Sequence, residues 1–257
     1  MEIDKIYNED CLVGMAKIPD KSIDCIICDL PYGTTACAWD SVIPFEPLWA
    51  QYKRILKHQG SVLLFGSEPF STMLRTSNFD WYKYDWVWEK SSSAGFVHAK
   101  NMPMKRHELV SVFSGASMGH ENLLVENRML YNPQGLLPCH KVHRNAKKQF
   151  GGVVGSRPSH KDTIVAEWTN YPDTILKFDN DPDGWHPTQK PVALLRYLVL
   201  TYTNVGGVIL DNCMGSGTTA IACIREKRHF IGFELNKEYY DKACARIRAE
   251  QAQPSLF

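Results

Sequence analysis

The 257-residue sequence has no apolar run approaching the roughly 18 residues needed to cross a bilayer. Its first residues, Met-Glu-Ile-Asp-Lys-Ile-Tyr, are charged where an export signal would be apolar, so a cytoplasmic location with reduced thiols is expected. There is no internal repeat, and no low-complexity tract beyond Ser91–Ser93. The eight cysteines, at 11, 25, 28, 37, 139, 213, 223 and 244, are scattered through mostly apolar settings. That pattern excludes a disulfide framework and favours small buried hydrophobes. Charge of either sign is also lacking in excess, since 29 Lys and Arg against 28 Asp and Glu leave a net +1. Taken as a total, this gives no support to a nucleic-acid partner.

The total conceals an asymmetry. Between Ser91 and Lys161 there are ten basic residues and three acidic ones, a local charge of +7 that leaves −6 for the rest. A basic insert in an acidic scaffold is the footprint expected where phosphates are gripped, although a solvated basic face would look the same.

Short apolar runs ending in Asp, Glu or Gly, each followed by a helix-like stretch, predict buried parallel strands with crossovers. Ser22–Cys28 is the first, followed by a helix over about Phe45–Lys57. Ser61–Phe65 is the second, entered through Gly60 as a helix C-cap, and Trp81–Trp88 is a further strand. Periodicity is weak from about Ser91 to Gly184. It returns with a helix opened by Pro191, a strand Val208–Asp211, a helix Thr218–Glu226, a strand His229–Glu234 and a helix Lys237–Arg248. The fold class expected is α/β, a doubly wound and mostly parallel Rossmann-like sheet. Its two halves, 1–90 and 185–257, are separated by an inserted basic region, 91–184.

Three short segments carry chemistry. The turn Asp211-Asn-Cys213-Met-Gly215-Ser216-Gly217-Thr218-Thr219-Ala220 follows a strand, precedes a helix, and matches the G-x-G-x-x-A nucleotide-binding pattern. No Lys precedes its Thr pair, which excludes a P-loop. Glu234, 17 residues beyond Gly217, ends the next strand at about the spacing that meets a ribose diol; a plain tight βα turn is the alternative. Asp29-Leu30-Pro31-Tyr32 ends a buried strand. A carboxylate with adjacent carbonyls can accept both hydrogens of an exocyclic amine while the ring stacks on its base, or the segment is simply an Asp-x-Pro turn. His186-Pro-Thr188-Gln-Lys190-Pro191 precedes a helix, where Thr188 and Lys190 can hold the carboxylate of an amino-acid moiety, or merely cap the helix.

In chain order, Asp29–Tyr32, then His186–Pro191, then Asp211–Ala220, the three segments resemble the S-adenosylmethionine-dependent amino-methyltransferases of DNA. The resemblance is to the permuted class, in which the catalytic motif precedes the cofactor motif, and within it to phage and prophage-type adenine methyltransferases. It spans nearly the whole chain outside about residues 115–183, with Leu30 standing where the family usually has Pro. It implies S-adenosylmethionine as cofactor, no metal, and double-stranded DNA as partner, leaving room for a homodimer and a cognate restriction enzyme. Asp29, Leu30, Pro31 and Tyr32 would act on a base rotated out of the stack, with Asp29 also bordering the cofactor. Permutation further implies that Lys5–Cys11 completes the sheet beside the last strand. Asp10 and Cys11 would then reach the cofactor, Asp10 over its adenine; a helix N-cap is the alternative for Asp10.

An Asp at the first motif position resembles adenine-N6 enzymes, so adenine is favoured over cytosine N4. A non-catalytic DNA-binding relative and an RNA substrate are the other rivals. No Pro-Cys nucleophile segment is present, which argues against carbon-5 cytosine chemistry. Lys105, Arg106, Arg144, Lys147, Lys148 and Arg157 are the candidates for DNA contact. Cys25 and Cys28 should face opposite sides of their strand, and Cys139-His140-Lys-Val-His143 lacks a second ligand pair, which disfavours metal at either. Trp39-Asp40 would close the pocket or pack, and Ser67–Phe70 is given no catalytic role.

Overall fold

The computed structural model describes residues 1–33, 41–118, 125–144, 163–181, 185 and 188–252. Lys147, Lys148, Arg157, His186, Trp39 and Asp40 lie outside the described residues, and Arg144 is described only as the last residue of a strand.

The chain forms two compact units. The larger comprises 1–132 and 174–257 and contains one eight-stranded sheet. Its elements in chain order are β1 (Lys5–Tyr7), α1 (Cys11–Met15), β2 (Ile23–Cys28), α2 (Phe45–Ile55), β3 (Leu56–Gly66), α3 (Phe70–Ser77), β4 (Tyr82–Ala94) and β5 (Lys105–Phe113). The smaller unit, Pro133–Asp173, is an antiparallel pair, β6 (Leu137–Arg144) and β7 (Thr163–Thr169). The larger unit resumes with β8 (Ile175–Lys177), α4 (Val192–Tyr202), β9 (Val208–Asp211), α5 (Thr218–Arg225), β10 (His229–Phe233) and α6 (Lys237–Gln251).

Sheet order is β1-β10-β9-β2-β3-β5-β4-β8, with β5 antiparallel to both neighbours and every other pairing parallel. Alternation along the buried strands feeds two cores. On β2, Cys25 and Ile27 join the core under α4, α5 and α6, while Ile26 and Cys28 join the one under α1, α2 and α3. Cys25 and Cys28 therefore do face opposite sides. Chain order runs outward from β2 to β3 and, in the other direction, from β9 to β10. The switch point lies between β2 and β9, where ligands of open α/β sheets bind, at the carboxyl ends of the strands.

β1 pairs in parallel with β10, Lys5 opposite Ile231 and Tyr7 opposite Phe233, so the N-terminal segment completes the sheet beside the last strand. Two expectations are corrected. Gly60 is not a helix cap, because α2 ends at Ile55 and Leu56 already pairs with Ile23. Gly60 sits in an irregularity of the β2–β3 ladder, where a Cβ would lie 2.8 Å from the carbonyl oxygen of Asp24. Residues 91–184 are not one insertion: β5 is a central strand, β8 is an edge strand, and only Pro133–Asp173 stands apart. The run Leu109-Val-Ser-Val-Phe113 is what buries β5, with Val110, Val112 and Phe113 all fully buried. Among the described residues no helix is long and apolar enough to cross a membrane, and the seven described cysteines are free thiols.

Candidate active site

Asp29 is the first residue beyond β2, placed at the switch point by the buried strand behind it. Leu30 turns its side chain into the core, 3% exposed, which anchors the loop. The Tyr32 hydroxyl donates to Asp29 Oδ1 at 2.6 Å. Its ring stacks on Phe70, with centroids 4.7 Å apart and planes 25° from parallel. Burial pushes the Tyr32 phenol well above its usual range, with the Asp29 charge acting in the same direction, so it stays a neutral donor.

Lys190 lies buried just before α4, with Nζ 2.5 Å from Asp29 Oδ2 and 3.3 Å from Glu108 Oε2. It sits 5.1 Å from the centroid of the Phe65 ring. Burial alone would lower the Lys190 ammonium, but Asp29 and Glu108 outweigh it and raise its pKa. Burial alone would raise the Glu108 carboxyl, but Lys190 and Lys90 outweigh it and hold it below the ordinary value. Lys90 and Glu108 form a further ion pair, so two cations and two anions alternate in a chain that ends on Asp29. The sequence reading placed Lys190 against a ligand carboxylate; here its ammonium is engaged by two side-chain carboxylates, the partners a buried cation requires.

On the other side of the switch point, Asp211 ends β9 and pins the Gly-rich turn. Its Oδ1 accepts from Cys213 N at 3.1 Å and its Oδ2 from the Thr219 hydroxyl at 2.6 Å. Burial raises its carboxyl to about 6. Gly215 and Gly217 adopt φ of 51° and 78°, a left-handed turn that brings bare backbone to the cavity. Gly215 N donates to Glu234 Oε2 and Asn236 N to Glu234 Oε1, both at 2.8 Å. The Ser216 and Thr218 hydroxyls lie 2.9 Å apart, and Arg246 from α6 donates to Ser216 O and Thr218 Oγ1 at 3.0 Å each.

Asp10 caps α1, accepting from Leu12 N at 2.9 Å and Val13 N at 3.1 Å, and also borders the cavity, so both roles weighed from the sequence are geometrically open to it. Asn8 ties β1 to the end of β10 by donating to Glu234 O and Leu235 O, at 2.8 and 3.0 Å.

These segments enclose a cavity of about 400 Å³, within the usual range for small-molecule sites. Asp10, Cys11, Asp29, Leu30, Pro31, Tyr32, Thr188, Lys190, Asp211, Cys213, Gly215, Ser216, Thr218, Thr219 and Glu234 all line it, and Gly217 shapes the turn beneath. Lys105 and Arg106 do not line it; they are exposed at the start of β5. Phe70 was singled out from sequence within Ser67–Phe70 but given no role, and Glu108, Phe65 and Arg246 were missed. Each acts across a long separation, and no short spacing marks it.

A family model described as DNA methylase matches residues 23–245. The chain is 27% identical over 271 residues to the DNA adenine methyltransferase YhdJ of Escherichia coli K12, covering 96% of this chain and 83% of that protein. Among solved structures, the M1.HpyAVI–SAM complex matches with a TM-score of 0.61 at 21% identity, over 94% of this chain and 98% of that one. The cytosine-N4-specific PvuII DNA methyltransferase matches with a TM-score of 0.64 at 14% identity, over 98% of this chain and 87% of that one. The family match runs from β2 into α6 and takes in every element around the cavity except β1 and α1, and on that extent the chain belongs to the N6/N4 DNA methylase family.

Proposed function

We propose that this protein methylates the exocyclic N6 of adenine in double-stranded DNA, using S-adenosylmethionine as methyl donor. Membership in the N6/N4 family makes it an S-adenosylmethionine-dependent DNA methyltransferase. The observation that carries the amine reading is the shared cavity at the switch point, with Asp29-Leu30-Pro31-Tyr32 on one wall and the Gly-rich turn on the other. Adenine is preferred to cytosine N4 because Asp stands first in the D-L-P-Y segment and the relative YhdJ is an adenine methyltransferase. Asp29-Tyr32 precedes Asp211-Thr219 in the chain, which is the order of the permuted class.

The residues present fit the donor. Gly215 lines the cavity with bare backbone, Gly217 lets the turn close against α6, and the Glu234 carboxylate, held by backbone amides, faces the same cavity where a ribose diol would meet it. Asp10, Cys11, Thr188, Cys213, Ser216, Thr218, Thr219 and Glu234 would hold it, with His186 assigned by resemblance alone and Asp211 keeping the turn in shape. When bound, it supplies an electrophilic methyl group on a sulfonium.

The chain's own groups supply the rest. Tyr32, backed by Phe70, offers its cavity face to a flipped base. Asp29 and the carbonyl of Leu30 or Pro31 accept the two amine hydrogens, localise the lone pair on nitrogen, and aim it across the cavity. Asp29 takes up the proton that the nitrogen sheds on alkylation. Positioning and electrostatics carry most of the acceleration. Lys105, Arg106, Arg144, Lys147, Lys148 and Arg157 would meet the DNA, whose compartment is the cytoplasm.

The test is to incubate the protein with unmethylated duplex DNA and methyl-labelled S-adenosylmethionine, digest to nucleosides, and identify the labelled one. Label in N6-methyldeoxyadenosine is expected, and label in cytosine would overturn the adenine assignment. Asp29→Ala should abolish labelling; full activity in that variant would remove Asp29 from the reaction.

A further inference from the structure

β4 and β5 continue beyond the sheet as an arm. Their ladder runs from Tyr82 opposite Phe113 to Glu89 opposite His107, is interrupted, and closes again where Ala94 meets Lys105. Residues 91–107 are exposed throughout. The chain reverses at Gly95, with φ 89°, and the short 3-10 turn Phe96–His98. At that reversal Phe96 and Val97 are 80% and 88% exposed, and Met102 on the returning side is 60% exposed. Single exposed apolar residues are ordinary, but several gathered on one projecting tip mark a surface that something covers.

Charge identifies the kind of partner. Lys100, Lys105 and Arg106 lie within 91–107, and that stretch contains no Asp or Glu. Arg106 reaches back toward Glu89 at 3.6 Å, at the root of the arm. An apolar tip on a wholly basic arm complements a polyanion with an apolar interior, which describes a stacked nucleic-acid duplex.

Position identifies the place. β4 runs parallel to β2, because both β3, which is parallel to β2, and β4 are antiparallel to β5. The arm therefore leaves the sheet at the carboxyl edge, where Asp29 lies. At its root Glu108 pairs with Lys90 and with Lys190, and Lys190 pairs with Asp29. Two ion pairs thus connect the base of the arm to Asp29.

We propose that this arm is a wedge, inserting Phe96 and Val97 into the DNA duplex beside the target base and occupying the space that the extruded base vacates. Lys100, Lys105 and Arg106 hold the flanking phosphates. The inference rests on the methyltransferase reading above. Apolar wedges between base steps offset the cost of unstacking, and that cost is smallest where the base is already mismatched.

The test compares wild type with a Phe96→Ala/Val97→Ala variant on a duplex carrying a sequence that wild type labels. One form has the target base paired and the other has it opposite a mismatch. The variant should methylate the paired duplex about tenfold or more slowly and recover to within about threefold of wild type on the mismatched one. Its affinity for S-adenosylmethionine and its oligomeric state should be unchanged. Equal loss on both duplexes, or no loss on either, overturns the wedge, as does a change from dimer to monomer, which would make the tip a contact between copies. Wild type that binds S-adenosylmethionine but labels no DNA would overturn the methyltransferase reading itself, and the wedge with it.

Discussion

Lys190 Nζ lies 2.5 Å from Asp29 Oδ2, across 161 positions of sequence. The Tyr32 hydroxyl takes the other oxygen, so both oxygens of Asp29 are oriented before any substrate arrives. A carboxylate offers about four lone-pair sites, and two remain for an amine. Glu108 balances the lysine, so the site gains orientation without leaving an unpaired buried cation.

Glu108→Gln should therefore lower kcat by about tenfold while leaving S-adenosylmethionine affinity within about twofold, because the carboxylate acts through Lys190 on the geometry of Asp29. Steady-state kinetics beside calorimetric binding separates the two. A parallel fall in cofactor affinity would instead place the Lys190 and Glu108 pair at the donor site. Lys190→Met leaves Asp29 with only the Tyr32 hydroxyl and Glu108 with only Lys90, and should cost about 1–3 kcal/mol in denaturant unfolding.

The Tyr32 ring and hydroxyl have separable roles. Tyr32→Phe keeps the stack on Phe70 and should retain activity within about tenfold. Tyr32→Ala loses the platform and should fall by a further factor of about ten to a hundred, the range for one base–aromatic stack. Equal activity in the two variants would mean that the ring does not meet the base.

Asp211 gives a pH dependence of definite sign. Its carboxyl is raised from 3.8 to about 6 by burial, so between those values the folded protein holds a proton that the unfolded chain releases. The stability it contributes is complete below pH 3.8 and is lost as pH rises through about 6. A carboxyl raised that far contributes about 3 kcal/mol at most. Unfolding of wild type and Asp211→Asn from pH 4 to 7 should show wild type losing ground to the variant as pH rises; a constant difference would rule out the raised carboxyl.

DNA binding by the arm should be salt-dependent. Replacing Lys100, Lys105 and Arg106 by Ala should reduce the slope of log affinity against log salt by about 0.9 for each phosphate contact removed. Anisotropy titrations at several salt concentrations measure it, and an unchanged slope would place the contacts elsewhere.

Much of the site was legible locally. The Gly-rich turn depends on left-handed backbone that only glycine adopts cheaply, and the turn stands in the sequence where it stands in the fold. Asp29–Tyr32 was legible because a buried apolar strand must end somewhere, and these residues end it. The helix boundary at Gly60 was misread because a local C-cap signal competed with a β2–β3 pairing that begins four residues earlier, at Leu56.

The sequence alone determined the alternation of buried strands and helices outside residues 91–184, the order of the motifs, and the acid and aromatic residues presented at the strand ends, since these follow from local periodicity and backbone sterics. Tertiary structure decided which distant charges meet. Glu108 counted in the sequence only as one of three acids in a basic stretch, and became a partner of Lys190 and Lys90 because β5 enters the sheet between β3 and β4. Burial then made that pairing obligatory, because an isolated charge in the core has no water to stabilise it.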